Sequence, residues 1–301
     1  MGRLEVSKIM SSGGRYASTM DSDNEETAMQ TLGSWKHAPL AYVAAELRLA
    51  SILNLEPFAA NLQEALGARF PRLVRGQEFG FVFEPQGVRQ QVAQRFHFLT
   101  AEADACVILT TDVLALHVSR YTDSSTFSAL FAEVLSALAK VREHQFVERI
   151  GLRYWDIVRA EGGLEVADFF SAPLSGLLTP VDGTRLARDV HELVYEVSGP
   201  PPHVATARLS LTAPVLQPQP VNLLLVPELA PSSRLQSTRE LATRDSAAKV
   251  GYVDIEVATE VKQAVDVAKL ADVTKVLHST QSALFRQLTS QSGQAYWKHG
   301  A

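Results

Sequence analysis

The chain has 301 residues, 46% of them hydrophobic and 20% charged, the balance of a globular protein with enough apolar side chains for a sizeable core. A formal net charge of −5 argues against a nonspecific nucleic-acid binder, which draws its affinity from a basic surface that displaces counterions from phosphate. The single cysteine, Cys106, excludes an intrachain disulfide. Followed by Val107, Ile108 and Leu109, it reads as a small core residue. A reducing cytoplasm is the expected location, since the first 26 residues contain no apolar segment of the kind a secretion signal needs. No apolar run approaches the roughly 18 residues of a membrane span.

Residues 1–33 are rich in Ser, Gly, Asp and Glu without a sustained period, and are expected to form a disordered leader, with a short helix conceivable over residues 25–32. Order is expected from Trp35. Leu40, Tyr42, Ala44, Glu46 and Arg48 alternate with Ala41, Val43, Ala45, Leu47 and Leu49, which predicts a strand, with a helix the alternative that the alanines leave open. Phe58, Leu62, Ala65 and Leu66 recur at helical spacing after Pro57, predicting a helix over 56–70. Short strands follow at 79–83 and 95–100, the first closed by the turn Glu84-Pro85-Gln86-Gly87. Residues 106–110 and 113–120 read as a hairpin. The clearest helix spans 125–142: Phe127, Leu130, Phe131, Val134, Leu135, Leu138 and Val141 form one stripe, with Asp123, Ser124 and Ser125 as candidate caps.

The cleanest strand is 146–158. Ile150, Leu152, Tyr154 and Val158 point one way, with Asp156 the exception on that face; Arg149, Gly151, Arg153, Trp155 and Ile157 point the other. Arginine and tryptophan offer directional donors and large contact area, so Arg149, Arg153 and Trp155 are the candidate recognition surface, as against the plain decoration of a half-buried strand. Beyond Ala160, a short helix plus loop is expected over 166–178, and strands over 190–197, 204–212 and 221–226. The polar stretch 231–249 reads as a flexible loop. A strand at 250–257 shows Asp254 and Glu256 on its outer face, and a long helix over 262–289 carries the stripe Val267, Leu270, Ala271, Thr274, Leu277, Gln281, Leu284 and Leu288. The expected fold is α+β: two antiparallel sheet-plus-helix halves, 34–160 and 161–301, packed together, with a long C-terminal helix.

Chemistry-bearing motifs are sparse. There is no phosphate-binding glycine loop and no Ser nucleophile elbow. None of the eight histidines has the spacing of a metal site, so neither metal nor cofactor is expected. Asp254 and Glu256 read either as ordinary solvent-side decoration or as carboxylates that bind a cation or act as acid and base. If their strand neighbours 146–158, they would form a polar cluster with Arg149 and Arg153. Arg120 and Tyr121 close the strand before the best helix, Tyr121 as a cap on the core and Arg120 within reach of the face near Arg153. Tyr296 and Trp297 are aromatic in a polar tail and read as docking on the body or on a partner.

The segments APLAYVAAELRL, Arg149-Ile150-Gly151-Leu152-Arg153-Tyr154, VDIEV and LHSTQSALF together resemble a sporadically distributed bacterial and archaeal family of uncharacterised proteins. The likeness spans Trp35 to Trp297, and Asp156 stands where that family usually has asparagine. The resemblance implies an accessory or mobile-element locus of the phage-defence or toxin–antitoxin kind, and no activity. The reading is a non-enzymatic binding protein whose partner is a protein, a second copy of itself or a small anionic ligand. The alternatives are an enzyme that clamps an anionic substrate with Arg149 and Arg153 and uses Asp254 or Glu256 for proton transfer, and a nucleic-acid-associated accessory factor.

Overall fold

A computed structural model describes residues 35–84, 87–172, 174, 182, 188–212, 226, 228–245 and 248–300. The expected leader at 1–33 lies outside them, as do most of the expected strand at 221–226 and the end of the segment at 166–178. Among the described residues, nine strands form one antiparallel sheet: β1 (Leu40–Leu49), β2 (Arg72–Glu84), β3 (Gly87–Leu99), β4 (Ala105–Leu109), β5 (Val113–Val118), β6 (Phe146–Arg159), β7 (Arg188–Val197), β8 (His203–Thr212) and β9 (Val250–Ala264). Their order is β2-β3-β4-β5-β1-β6-β9-β8-β7. The hairpins β2–β3, β4–β5 and β7–β8 are local, whereas β1–β6 and β6–β9 join distant segments. The fold is α+β. The two halves of the chain share this sheet, meeting strand to strand from Phe146 opposite Ala264 to Arg159 opposite Val250.

Among the described residues, five α-helices accompany the strands: α1 (Leu55–Leu66), α2 (Ser124–Val141), α3 (Ser233–Arg244), α4 (Val267–Leu288) and α5 (Gln291–His299). Strand alternation divides the core in two. Val43, Ala45 and Leu47 of β1 and Ile150, Leu152 and Tyr154 of β6 pack with α1, α2, α4 and α5 on one face. Tyr42 and Ala44 of β1 and Trp155 and Ile157 of β6 pack on the other face, where α3 lies with Leu235 buried. The expected stripe of α2 is the buried one, and Asp123 caps it by accepting the Thr126 backbone N–H at 2.7 Å. The Ser125 and Thr126 hydroxyls also donate to Asp123, and together these bonds hold its carboxyl down at about 2. Cys106 is a fully buried free thiol.

Two expectations about the helices need correction. Within 231–249, residues 233–244 are helical and not loop: α3 starts at the Ser232 cap, whose Oγ accepts the Leu235 N–H at 3.2 Å. The segment reads as polar because its buried face holds Arg234, Leu235 and Thr238, and Thr238 returns its hydroxyl to the Arg234 carbonyl at 2.7 Å. The last long helix begins at Val267 rather than 262, because residues 262–264 continue β9 opposite Phe146 and Val147 and Asp266 supplies the cap. The polar C-terminal stretch is helical, and Trp297 is 1% exposed, stacked on Phe169 at 5.0 Å and on Trp35 at 6.4 Å. Docking on the body is thus the outcome for Trp297.

Candidate functional site

Four adjacent strands build a polar field on the α3 side of the sheet, next to the patch that α3 covers. Across β1, β6, β9 and β8 the aligned rows are Glu46–Gly151–Ala258–Val204 and Ala44–Arg153–Glu256–Thr206; a third runs Tyr42–Trp155–Asp254–Arg208. Side chains in neighbouring rows meet diagonally. Arg153 grips Asp254 with two parallel bonds, Nε to Oδ1 at 2.7 Å and Nη2 to Oδ2 at 2.5 Å. Arg149 donates to Glu256 at 2.7 Å and lies 3.9 Å from Glu46. Arg208 donates to Glu192 of β7 at 2.6 Å, with its other end 3.9 Å from Asp254 and 4.0 Å from Glu256. Gly151 lets the Arg149 guanidinium lie low over the strand: a Cβ there would stand 3.5 Å from its Nη1 and 3.4 Å from the Ala258 Cβ.

Burial and charge grade these groups. The Arg153 and Asp254 side chains are 16% and 12% exposed, so this pair is largely shielded from water. Burial works against the Arg153 charge, but the bonds to Asp254 outweigh it and hold the guanidinium protonated. Burial lifts the Glu46 carboxyl above its usual range, with Arg149 pulling the other way. Arg149 and Arg208 are each 39% exposed and Glu256 31%. An open groove of about 930 Å³ lies over these three together with Thr206 and Ala258, with Glu196, His203 and Lys262 also on its walls. Three guanidiniums thus face four carboxylates, a mixed-charge field rather than a cationic trap.

The structure brings Arg149, Arg153, Asp254 and Glu256 together, as the period-two pattern of β6 and β9 allows once the two strands are neighbours. Trp155 does not face solvent. It is 1% exposed, stacked on Tyr252 at 5.4 Å with their planes 6° apart, in the core that also holds Leu235 of α3. Arg120 and Tyr121 are not part of the field either. They line a separate cleft of about 330 Å³ at the start of α2, alongside Thr100, Asp104, Asp123 and Thr126. Tyr121 does cap the core, edge-on to Tyr154 at 5.9 Å. Sequence reading missed Arg208, Glu46 and Glu192. Val204, Thr206, Arg208 and Ser210 show period two, but nothing local says that β8 pairs with β9.

Asp156 sits on the helix side of β6, 3% exposed, and its Oδ2 has no hydrogen-bond partner among the described residues. Burial pushes its carboxyl well above the usual range, and the nearby charge of Arg234 only partly opposes this. In the unfolded chain an aspartate ionises near about 4. The folded protein therefore holds this proton to higher pH, and ionisation weakens folding progressively as pH rises above the ordinary carboxylate range. Asp156→Asn is expected to be more stable than the wild type at pH 8, by about 1–3 kcal/mol, with the advantage shrinking towards pH 4. Urea unfolding across that range is the check, and parallel pH profiles for the two proteins would refute it.

No protein-family model matches the chain, and no curated protein matches it. Among the described residues no helix is long and apolar enough to cross a membrane, and no three His, Cys, Asp or Glu side chains converge as a metal site requires.

Proposed function

We propose that this chain is a binding protein that engages a protein partner through the open groove over β6, β9 and β8. The observation that carries the reading is the exposed trio Arg149, Glu256 and Arg208, with Val204 (45% exposed) and Val194 (62% exposed) on the same sheet face. A partner's segment bearing charges of both signs and an apolar residue complements such a field, while exposed arginines contribute directional contacts. A small anion is the weaker reading, because every guanidinium there already has a carboxylate neighbour. The enzyme reading loses ground on the same account: Asp254 and Glu256 accept bonds from Arg153 and Arg149 instead of standing free for proton transfer. Encoding in an accessory or mobile-element locus belongs to this proposal and rests on the sequence resemblance alone.

The test compares copurifying proteins, quantified by mass spectrometry, for the wild type and for Arg149→Glu with Arg208→Glu. Arg48→Glu, on β1 outside the groove lining, serves as the control. The expected result is a partner lost with the groove variant and retained with the control. Identical copurifying sets for all three would overturn the groove. A thermal shift with inorganic phosphate that vanishes in the groove variant would move the assignment to the anion reading.

A further inference from the structure

We propose that β7 is a dimerisation edge, where two copies of this chain pair their β7 strands antiparallel about a twofold axis through Glu192. The inference concerns the sheet's edge; it shares Val194, Glu196 and the Arg208–Glu192 pair with the groove face, and its reversals at Arg188 and Glu196 leave the groove arginines Arg149 and Arg208 in place.

Among the described residues, β7 is the last strand of the sheet on its side, ten residues long and in unbroken register with β8. Natural proteins blunt such edges with lysine, proline, bulges or short strands, because a bare edge templates pairing. β7 has no lysine or proline and no bulge against β8. Arg188, Val190, Glu192, Val194 and Glu196 are exposed in strict alternation, with Val190 at 49% and Val194 at 62%.

The sequence of that exposed face is complementary to its own reverse. In an antiparallel ladder, directly opposed residues share a face and their side chains touch. With Glu192 opposite its own copy, Arg188 falls opposite Glu196 and Val190 opposite Val194, each pair occurring twice. Among the described residues, Arg188 and Glu196 have no ion-pair partner in the single chain, so both are available. The two Glu192 carboxylates at the axis would repel, but each is already held by its own Arg208 at 2.6 Å. On the other face Leu193 meets His191 of the second copy, and Tyr195 meets Asp189. Leu193 and Tyr195, already packed on the helix-side core, would carry that core across the axis. Neighbouring registers lose these matches. An axis at Leu193 sets Val190 against Glu196 and Glu192 against Val194; an axis at His191 sets Arg188 against Val194 and Val190 against Glu192.

Sedimentation equilibrium on the full chain is expected to give a mass twice 32.9 kDa. Arg188→Glu and Glu196→Arg, taken singly, should each raise the dimer dissociation constant about tenfold or more, since two attractive pairs become repulsive. The two reversals combined should restore the wild-type constant. As a second measurement, Glu192→Cys should crosslink to its own copy under mild oxidation and Val190→Cys should not, with Cys106 buried and silent. A wild type that stays monomeric, a dimer indifferent to Arg188→Glu, a double reversal that fails to restore it, or crosslinking at 190 but not 192 would each overturn the assignment.

Discussion

Asp254→Ala is expected to cost about 3–5 kcal/mol of folding stability, because it strands the Arg153 guanidinium inside the sheet with its two bonds unmade. Arg153→Ala should cost a similar amount by stranding the carboxylate. The diagnostic is the double variant Arg153→Leu with Asp254→Leu: removing both charges at once avoids the desolvation penalty, so it should be more stable than either single variant. Arg149→Ala provides the contrast. Its ion pair is 39% and 31% exposed, and the loss should stay near 0–1 kcal/mol, about what surface pairs contribute. Denaturant unfolding of the four proteins measures all of this. If the Arg153 and Asp254 effects were small and additive, the pair would not be a buried unit.

Trp155→Ala is expected to destabilise by about 3–5 kcal/mol, the range for deleting a large buried aromatic. It removes one half of the Trp155–Tyr252 stack and opens a void in the core that α3 shares. Limited proteolysis should then cut first within 233–244, where α3 is left with Leu235 as its chief apolar anchor. Loss of near-ultraviolet circular dichroism should accompany the stability loss. A Trp155→Ala protein as stable as the wild type, with only binding impaired, would return this indole to the recognition surface that the strand pattern first suggested.

The sequence pattern of β6 is informative about faces and silent about what covers them. Period two correctly separates Ile150, Leu152 and Tyr154 from Arg149, Arg153 and Trp155. Arg153 and Trp155 look equally outward in that pattern, yet they differ in fate because Trp155 is buried in the cluster that includes Leu229, Leu235 and Tyr252, and Arg153 lies beside that cluster among charged groups. α3 itself is hard to read because it covers large aromatic surfaces with few apolar residues of its own. The α2 stripe and the β4–β5 hairpin were legible because each is decided within one short window of chain. The cluster of Arg149, Arg153, Asp254 and Glu256 was legible only as a conditional, since period two puts each pair on one face but cannot say that β6 and β9 touch. Arg208 and Glu192 were illegible for the same reason, one strand further out.

The β6–β9 seam has a consequence for biogenesis. Arg153 and the Asp254 that neutralises it are 101 positions apart in the chain. During synthesis β6 therefore emerges long before its neighbour on that side exists, with that amide edge bare and Arg153 unmatched. Contacts of such long sequence separation make folding slow and prolong the exposure of sticky intermediates. A nascent chain halted near Ala160 would hold a fragment with an open flank, not a self-sufficient domain. Productive folding waits for the ribosome to deliver the second half.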